Sequence, residues 1–203
     1  MTKFGKFFLF LLITILVSSC SGVTSDGPPD ELTHIRLPMG YIPNVQYAPF
    51  YAGMEEGFFA EEGLEIEFDY SYETDGVALV GANELQFSLV SGEQVPIARA
   101  EGLPIVYVMA WYGQYPVAVI AKSEQNLNAP EDMVGKRIGL PGLFGANYVG
   151  LRALMGYAGL EEKDLTLDSV GFNQVEVLAA DTSEVIVGYV ANEPVQLAAQ
   201  GYE

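Results

Sequence analysis

Apolar, strand-length runs alternate with helix-like stretches from residue 35 to residue 111, and this rhythm constrains the fold more than any other feature. Ile35–Met39 reads as a first strand, and Gln46–Glu56 carries Tyr47, Phe50, Tyr51 and Met54 at helical spacing, stopped by Gly57. Leu64, Ile66, Phe68 and Tyr70 then alternate strictly with Glu65, Glu67 and Asp69, as in a strand with one wet face. Thr74 or Asp75 can cap a helix through Asn83. Gln86–Val90 reads as a short strand, Ser91–Gln94 opens a helix ending at Gly102, and Pro104–Trp111 reads as a long apolar strand. Alternation of this kind predicts a mostly parallel sheet with helices on both faces.

Tyr112-Gly113-Gln114-Tyr115 breaks the rhythm, and a second series follows. Strands are expected at 116–122, 137–140, 167–172 and 184–190, and helices at 146–158 and 175–180, with a helical turn at 130–134. Asn192-Glu193-Pro194 starts a last helix. The expectation is α/β, with two lobes. Residues 33–112 form lobe 1, residues 113–189 form lobe 2, and residues 190–203 begin a return to lobe 1. The second series contains a glycine-rich turn, Pro141–Gly145, between a strand and a helix. Backbone N–H groups at such a turn suit an anionic or hydrogen-bond-accepting ligand. Neither the P-loop pattern nor the dinucleotide fingerprint is present there.

The first 19 residues are expected to be a lipoprotein signal peptide, with Lys3 and Lys6 ahead of the apolar run Phe7–Val17. That run falls short of the about 20 residues a membrane span needs. Val17-Ser18-Ser19-Cys20 resembles the bacterial lipoprotein cleavage box, which makes Cys20, the single cysteine, the candidate lipidation site. Residues 20–32, with Pro28-Pro29, are expected to be a tether. Without Lys3 and Lys6 the nine basic residues fall to seven against 27 acidic ones, a net charge near −20. Such a chain does not suit nucleic acid.

Several stretches together resemble the solute-binding proteins of bacterial ABC importers, in the SsuA/THI5-like (sulfonate-binding and thiamin-pyrimidine) superfamily. They are Gly40-Tyr-Ile-Pro-Asn44, Phe58-Phe-Ala-Glu-Glu-Gly-Leu-Glu-Ile-Glu67, Ser91-Gly-Glu-Gln94, Gly135-Lys-Arg-Ile-Gly-Leu-Pro-Gly142 and Tyr189-Val-Ala-Asn-Glu-Pro194. The resemblance implies a two-lobed periplasmic-binding-protein type II fold, each lobe a mixed, mostly parallel sheet flanked by helices. It also implies closure over a ligand, and a permease and an ATPase supplied by other chains. The expected location is extracytoplasmic, lipid-anchored to the membrane. Members of the family usually continue on the order of a hundred residues further in lobe 1, so the chain is expected to be truncated at its C-terminus.

Ligands of open α/β folds sit at the carboxyl ends of strands. The candidates there are Tyr41, Asn44, Tyr47, Asp75, Ser91, Glu93, Trp111, Gly145, Tyr148, Asn173, Tyr189 and Glu193. Tyr70, Tyr72, Tyr112, Tyr115 and Phe144 add to the aromatic character. Flat aromatic walls suit a planar heterocycle, and carboxylates suit its N–H or amino groups. Asp75 serves equally as a helix cap, and Glu193 as a residue before Pro194; Tyr51, Tyr107 and Tyr157 are assigned to the core. Lys122, Lys136, Arg137 and Arg152 are not clearly at strand ends, which disfavours a sulfonate.

The expected function is therefore capture of a thiamin pyrimidine precursor or riboflavin, with no cofactor, no metal and no catalytic residue. The alternatives are a sulfonate- or nitrate-type binding protein, a sensor, or a degenerate fragment. A thiamin pyrimidine synthase is a weaker fourth, because His34 and Cys20 are the only His and Cys.

Overall fold

The computed structural model describes residues 31–202. The signal peptide, Cys20 and the tether through Asp30 lie outside the described residues.

Two sheets organise the chain. The first pairs β1 (Thr33–Pro38) in parallel with β2 (Leu64–Asp69), with Ile35 opposite Ile66 and Leu37 opposite Phe68. Its alternation follows the sequence: Ile35 and Ile66 are buried, while Arg36, Glu65 and Glu67 face water. On that wet face Arg36 pairs with Asp69 at 2.6 Å, and His34 Nε2 lies 3.1 Å from Glu67 Oε2. A 3₁₀ turn, helix α1 (Ala48–Glu55) and the single turn α2 (Phe58–Glu61) make the crossover. Pro49 is tolerated because the first turn of a helix has no use for its missing N–H. Gly57, at φ +78°, ends α1 in the left-handed conformation that a side chain resists.

Helices α3 (Glu73–Gly81) and α4 (Gln94–Ala100) follow, and Val77, Val95, Ala98 and Ile105 form a small core between them. Helix α3 starts one residue earlier than its expected caps, after Tyr72, which makes no side-chain capping bond; Asp75 lies exposed in the first turn.

Two expected strands do not form among the described residues. Gln86–Val90 makes a single backbone contact with the first sheet, from Leu89 N–H to Pro38 C=O at 2.8 Å. Pro104–Trp111 makes no ladder, and Val106, Tyr107, Val108 and Met109 are each more than 60% exposed. Their residues favour strands, but a strand is held by a continuous ladder to a partner backbone, and neither run has one among the described residues. Tyr107 and Tyr157 are likewise surface residues rather than core, Tyr157 at 87% exposure.

The second sheet has the order β3-β6-β4-β5, comprising β3 (Val117–Ala121), β4 (Arg137–Leu140), β5 (Thr166–Ser169) and β6 (Val185–Tyr189). Only β3 runs antiparallel to its neighbour. Alternation along β6 supplies two cores. Val185 and Val187 pack with Ile138, Leu140, Leu151 and Met155 beneath α5 (Gly145–Ala158). Ile186 packs on the opposite face with Val175 and Leu178 of α6 (Gln174–Ala179) and Leu197 of α7 (Glu193–Ala199).

Candidate functional site

The carboxyl ends of β1, β2, β4, β5 and β6 border one cavity of about 890 Å³. One part of its lining is apolar and lies between Leu85–Val90 and Pro104–Met109, the two runs without strand partners. The other part is aromatic and polar and joins the two sheets. Tyr41, Tyr47, Phe50 and Tyr72 come from the first sheet and its helices, and Phe144, Phe172 and Tyr189 from the second. Trp111, Tyr112 and Tyr115 lie on the segment that connects them.

The aromatic rings hold one another across the junction. Tyr41 meets Phe172 edge-on with centroids 4.7 Å apart, Tyr72 meets Phe144 at 5.2 Å, and Tyr112 meets Tyr189 at 6.2 Å. Trp111 lies against Phe50 at 4.8 Å. Such pairs prefer edge-to-face or offset geometries and fix each other's orientation.

Polar contacts cross the same junction. Asn192, 7% exposed, donates from Nδ2 to the Tyr41 hydroxyl (3.2 Å), and its Oδ1 accepts from Asn44 Nδ2 (2.9 Å) and Gln196 Nε2 (2.8 Å). Asn44 also caps the 3₁₀ turn by accepting from Gln46 N–H at 3.0 Å. Ser91 donates through Oγ to Glu73 Oε1 at 2.6 Å, and its N–H reaches the same oxygen at 3.1 Å. The Ser91 hydrogen is thus committed, so the Tyr189 hydroxyl, 3.1 Å away, is the donor to Ser91 Oγ.

Three carboxyl groups gather here. Burial pushes the Glu73 carboxyl up to about 7, against the Ser91 hydrogen bonds that favour its charged form; nearby Glu93 adds to the rise. Burial also raises Glu193, which accepts the Tyr189 N–H at 2.7 Å. That carboxyl sits over Gly188, where an added Cβ would lie 2.7 Å from it, so the glycine permits the approach. Burial raises the Tyr47, Tyr115 and Tyr189 phenols, assisted by these carboxylates, so they stay neutral donors. Tyr47 donates to Met39 C=O at 2.6 Å, and Tyr115 to Ala146 C=O at 2.7 Å.

Of the twelve sequence candidates, Tyr41, Tyr47, Ser91, Trp111, Gly145, Tyr189 and Glu193 line the cavity. Asn44 and Glu93 sit just behind it, Asn44 through Asn192 and Glu93 against Gln94. Asp75 faces solvent. Tyr148 turns outward to Glu162 and Arg152, and Asn173 bonds its Nδ2 to Val170 C=O, so neither lines the cavity. The sequence reading did not single out Glu73, Asn147, Phe172, Gln174 and Asn192, all of which do line it. Asn147 and Gln174 are both buried and donate toward Val187 C=O, and Asn147 Oδ1 has no partner. Each lies within two residues of a chosen candidate, so the strand-end rule located the segments but not the inward-facing member.

Among the described residues, no Lys or Arg lines the cavity. Lys122, Lys136, Arg137 and Arg152 are paired elsewhere, with Asp181, Glu184, Asp168 and Glu162. No cluster of His, Cys, Asp and Glu suited to a metal occurs among the described residues.

The NMT1/THI5-like family model matches residues 44–203. The riboflavin-binding protein RibY of Chloroflexus aurantiacus is 37% identical over 218 residues, covering 100% of this chain and 62% of that protein. The formylaminopyrimidine-binding protein of Halalkalibacterium halodurans is 28% identical over 204 residues, covering 99% and 61%. The chain thus spans about three fifths of the length of these relatives. Among solved structures, the aliphatic sulphonate-binding protein SsuA of Escherichia coli superposes with a TM-score of 0.60 at 14% identity, covering 85% of this chain and 58% of that one. The alkanesulfonate-binding SsuA of Xanthomonas axonopodis gives 0.57 at 18% identity, covering 79% and 55%. The fold is therefore the two-lobed type II periplasmic-binding-protein fold, with mixed, mostly parallel sheets flanked by helices. By sequence, the chain belongs to the NMT1/THI5-like family.

Proposed function

We propose that this chain is the ligand-capturing part of an extracytoplasmic solute-binding protein serving an ABC importer. Its ligand is a planar heteroaromatic vitamin or vitamin precursor, a flavin such as riboflavin or an aminopyrimidine. The observation that carries this reading is the cavity wall, which has aromatic faces and carboxyl groups from both sheets and no cation. Aromatic faces gain area and stacking from a flat ring, and carboxylates accept strongly from N–H donors. A sulfonate has no donor to offer and no guanidinium or ammonium to meet. The names of the two relatives above point the same way.

In this reading residues 33–112 and 113–189 are the two lobes. The Tyr189–Ser91 contact joins them over the ligand, and Asn192, in the segment 190–203 that begins the return to lobe 1, ties to Asn44 and Tyr41. Cys20 carries the lipid anchor, a permease and an ATPase on other chains receive the ligand, and the chain itself performs no chemistry. Isothermal titration of the protein with riboflavin, formylaminopyrimidine and an alkanesulfonate tests it. Saturable binding of one heterocycle, with no heat from the sulfonate, is the expected result. Binding of the sulfonate alone overturns the reading.

A further inference from the structure

We propose that Glu73, held by Ser91 and Tyr189, selects the ligand by accepting a hydrogen bond from one of its ring N–H or amino groups. The inference rests on the heteroaromatic reading of the cavity and assigns to one carboxyl the task of telling one flat ring from another.

The geometry is specific to this side chain. Glu73 opens α3 and lines the cavity. Its Oε1 is saturated by the two Ser91 donors, while its Oε2 is buried and has no partner. A chain of donors running from the Tyr189 hydroxyl through Ser91 Oγ to Oε1 ties the carboxyl to both sheets. Gly40, at φ +74°, passes so close that an added Cβ would lie 2.7 Å from Glu73 Cγ, so the side chain is confined from behind. A confined carboxyl that lines the cavity, with one satisfied oxygen and one buried, unpartnered oxygen, is a directional acceptor. The titratable groups around it are Glu93 and the phenols of Tyr47, Tyr115 and Tyr189, and among the described residues no cation lines the cavity. A ligand donor is therefore the partner this oxygen lacks, and leaving such a buried acceptor unmet is costly. Selectivity follows from that cost, because rings lacking a donor there are rejected far more strongly than apolar contacts alone allow.

The substitution Glu73→Gln separates shape from hydrogen bonding. Ser91's two donors hold the amide oxygen in the Oε1 place, so the NH₂ group takes the Oε2 place and presents a donor where an acceptor stood. Titration calorimetry at pH 8 on the full protein uses riboflavin and formylaminopyrimidine as probes. For whichever binds, E73Q is expected to weaken affinity at least tenfold, while D75N, on the same helix but facing solvent, leaves it unchanged. Should E73Q fail to fold, the unaltered protein is titrated with 3-methylriboflavin, or with the pyrimidine bearing a dimethylated amino group, and a loss of at least tenfold is again expected. Equal affinity of the original and E73Q proteins, or of the methylated and unmethylated ligands, overturns the role of Glu73 and leaves the cavity reading standing. An unaltered protein that binds neither heterocycle overturns both.

Discussion

Strand β6 of the second sheet and the run from Val106 to Met109 are built from the same kinds of residue and end in opposite states. Val185, Ile186 and Val187 of β6 are completely buried, whereas Val106 and Val108 are 67% and 75% exposed. Both segments are short, apolar and rich in β-branched side chains. Strand β6 lies between β3 and β4 with α5 on one face and α6 and α7 on the other, so its polar backbone and both faces are satisfied. Val106–Met109 has neither a ladder nor a covering layer among the described residues, although Ile105 beside it is buried. β-propensity measures fit to a pleated, half-buried surface, and it has no force where that surface is not assembled.

This contrast can be broken or sharpened by experiment, beginning with the largest effect. Leu151→Ala, deep under the second sheet at 1% exposure, should destabilise the protein by about 2–5 kcal/mol in a urea melt. Val108→Ala should change it by no more than about 0.5 kcal/mol. Similar losses from both would mean that the exposed run is covered in solution.

The pH response of Glu73, which belongs to the first region, comes next. Its carboxyl is raised from 4.5 to about 7 in the folded protein, so the folded state binds more protons between those values. The stability it contributes is complete below about pH 4.5 and is lost as pH rises to about 7, by on the order of 3 kcal/mol. In E73Q this part of the decline should vanish from melts taken between pH 5 and 8. Glu193, buried against β6, is raised in the same direction and adds its own part to the decline, which E73Q leaves in place.

Hydrogen exchange offers a finer test. Amides of Ile138, Ile186 and Val187 should exchange at rates close to that of global unfolding, and those of Val106–Met109 near the unprotected rate. The smallest effect belongs to the surface pair Arg36–Asp69, where Asp69→Asn should cost less than about 1 kcal/mol and less still in high salt.

Much of the second sheet was legible because each strand there is flanked by its own punctuation. Strand β4 forms at the expected 137–140, and Gly159, at φ +70°, closes α5 where the pattern placed a stop. The alternation of Leu64–Asp69 likewise declared its wet face. The runs 86–90 and 104–111 were misread because pairing is a property of the neighbour, which a local pattern does not contain. In the cavity, the rule that ligands sit at strand ends found the correct turns but not always the inward side chain. Glu73 and Asp75 are two positions apart on α3, some 200° around the helix axis, so only one of them can face inward. Asn147 and Tyr148 divide in the same way on α5. Helix phase relative to a second sheet is fixed by tertiary packing, and residue type alone does not reveal it.

Trp111, resting on Phe50 in the cavity wall, is the single tryptophan of the whole sequence. All indole emission from these 203 residues therefore originates beside the proposed ligand. A bound flavin would take up that excitation by resonance transfer and dim the emission in proportion to occupancy. Capture and release could then be followed optically, in real time and without a label.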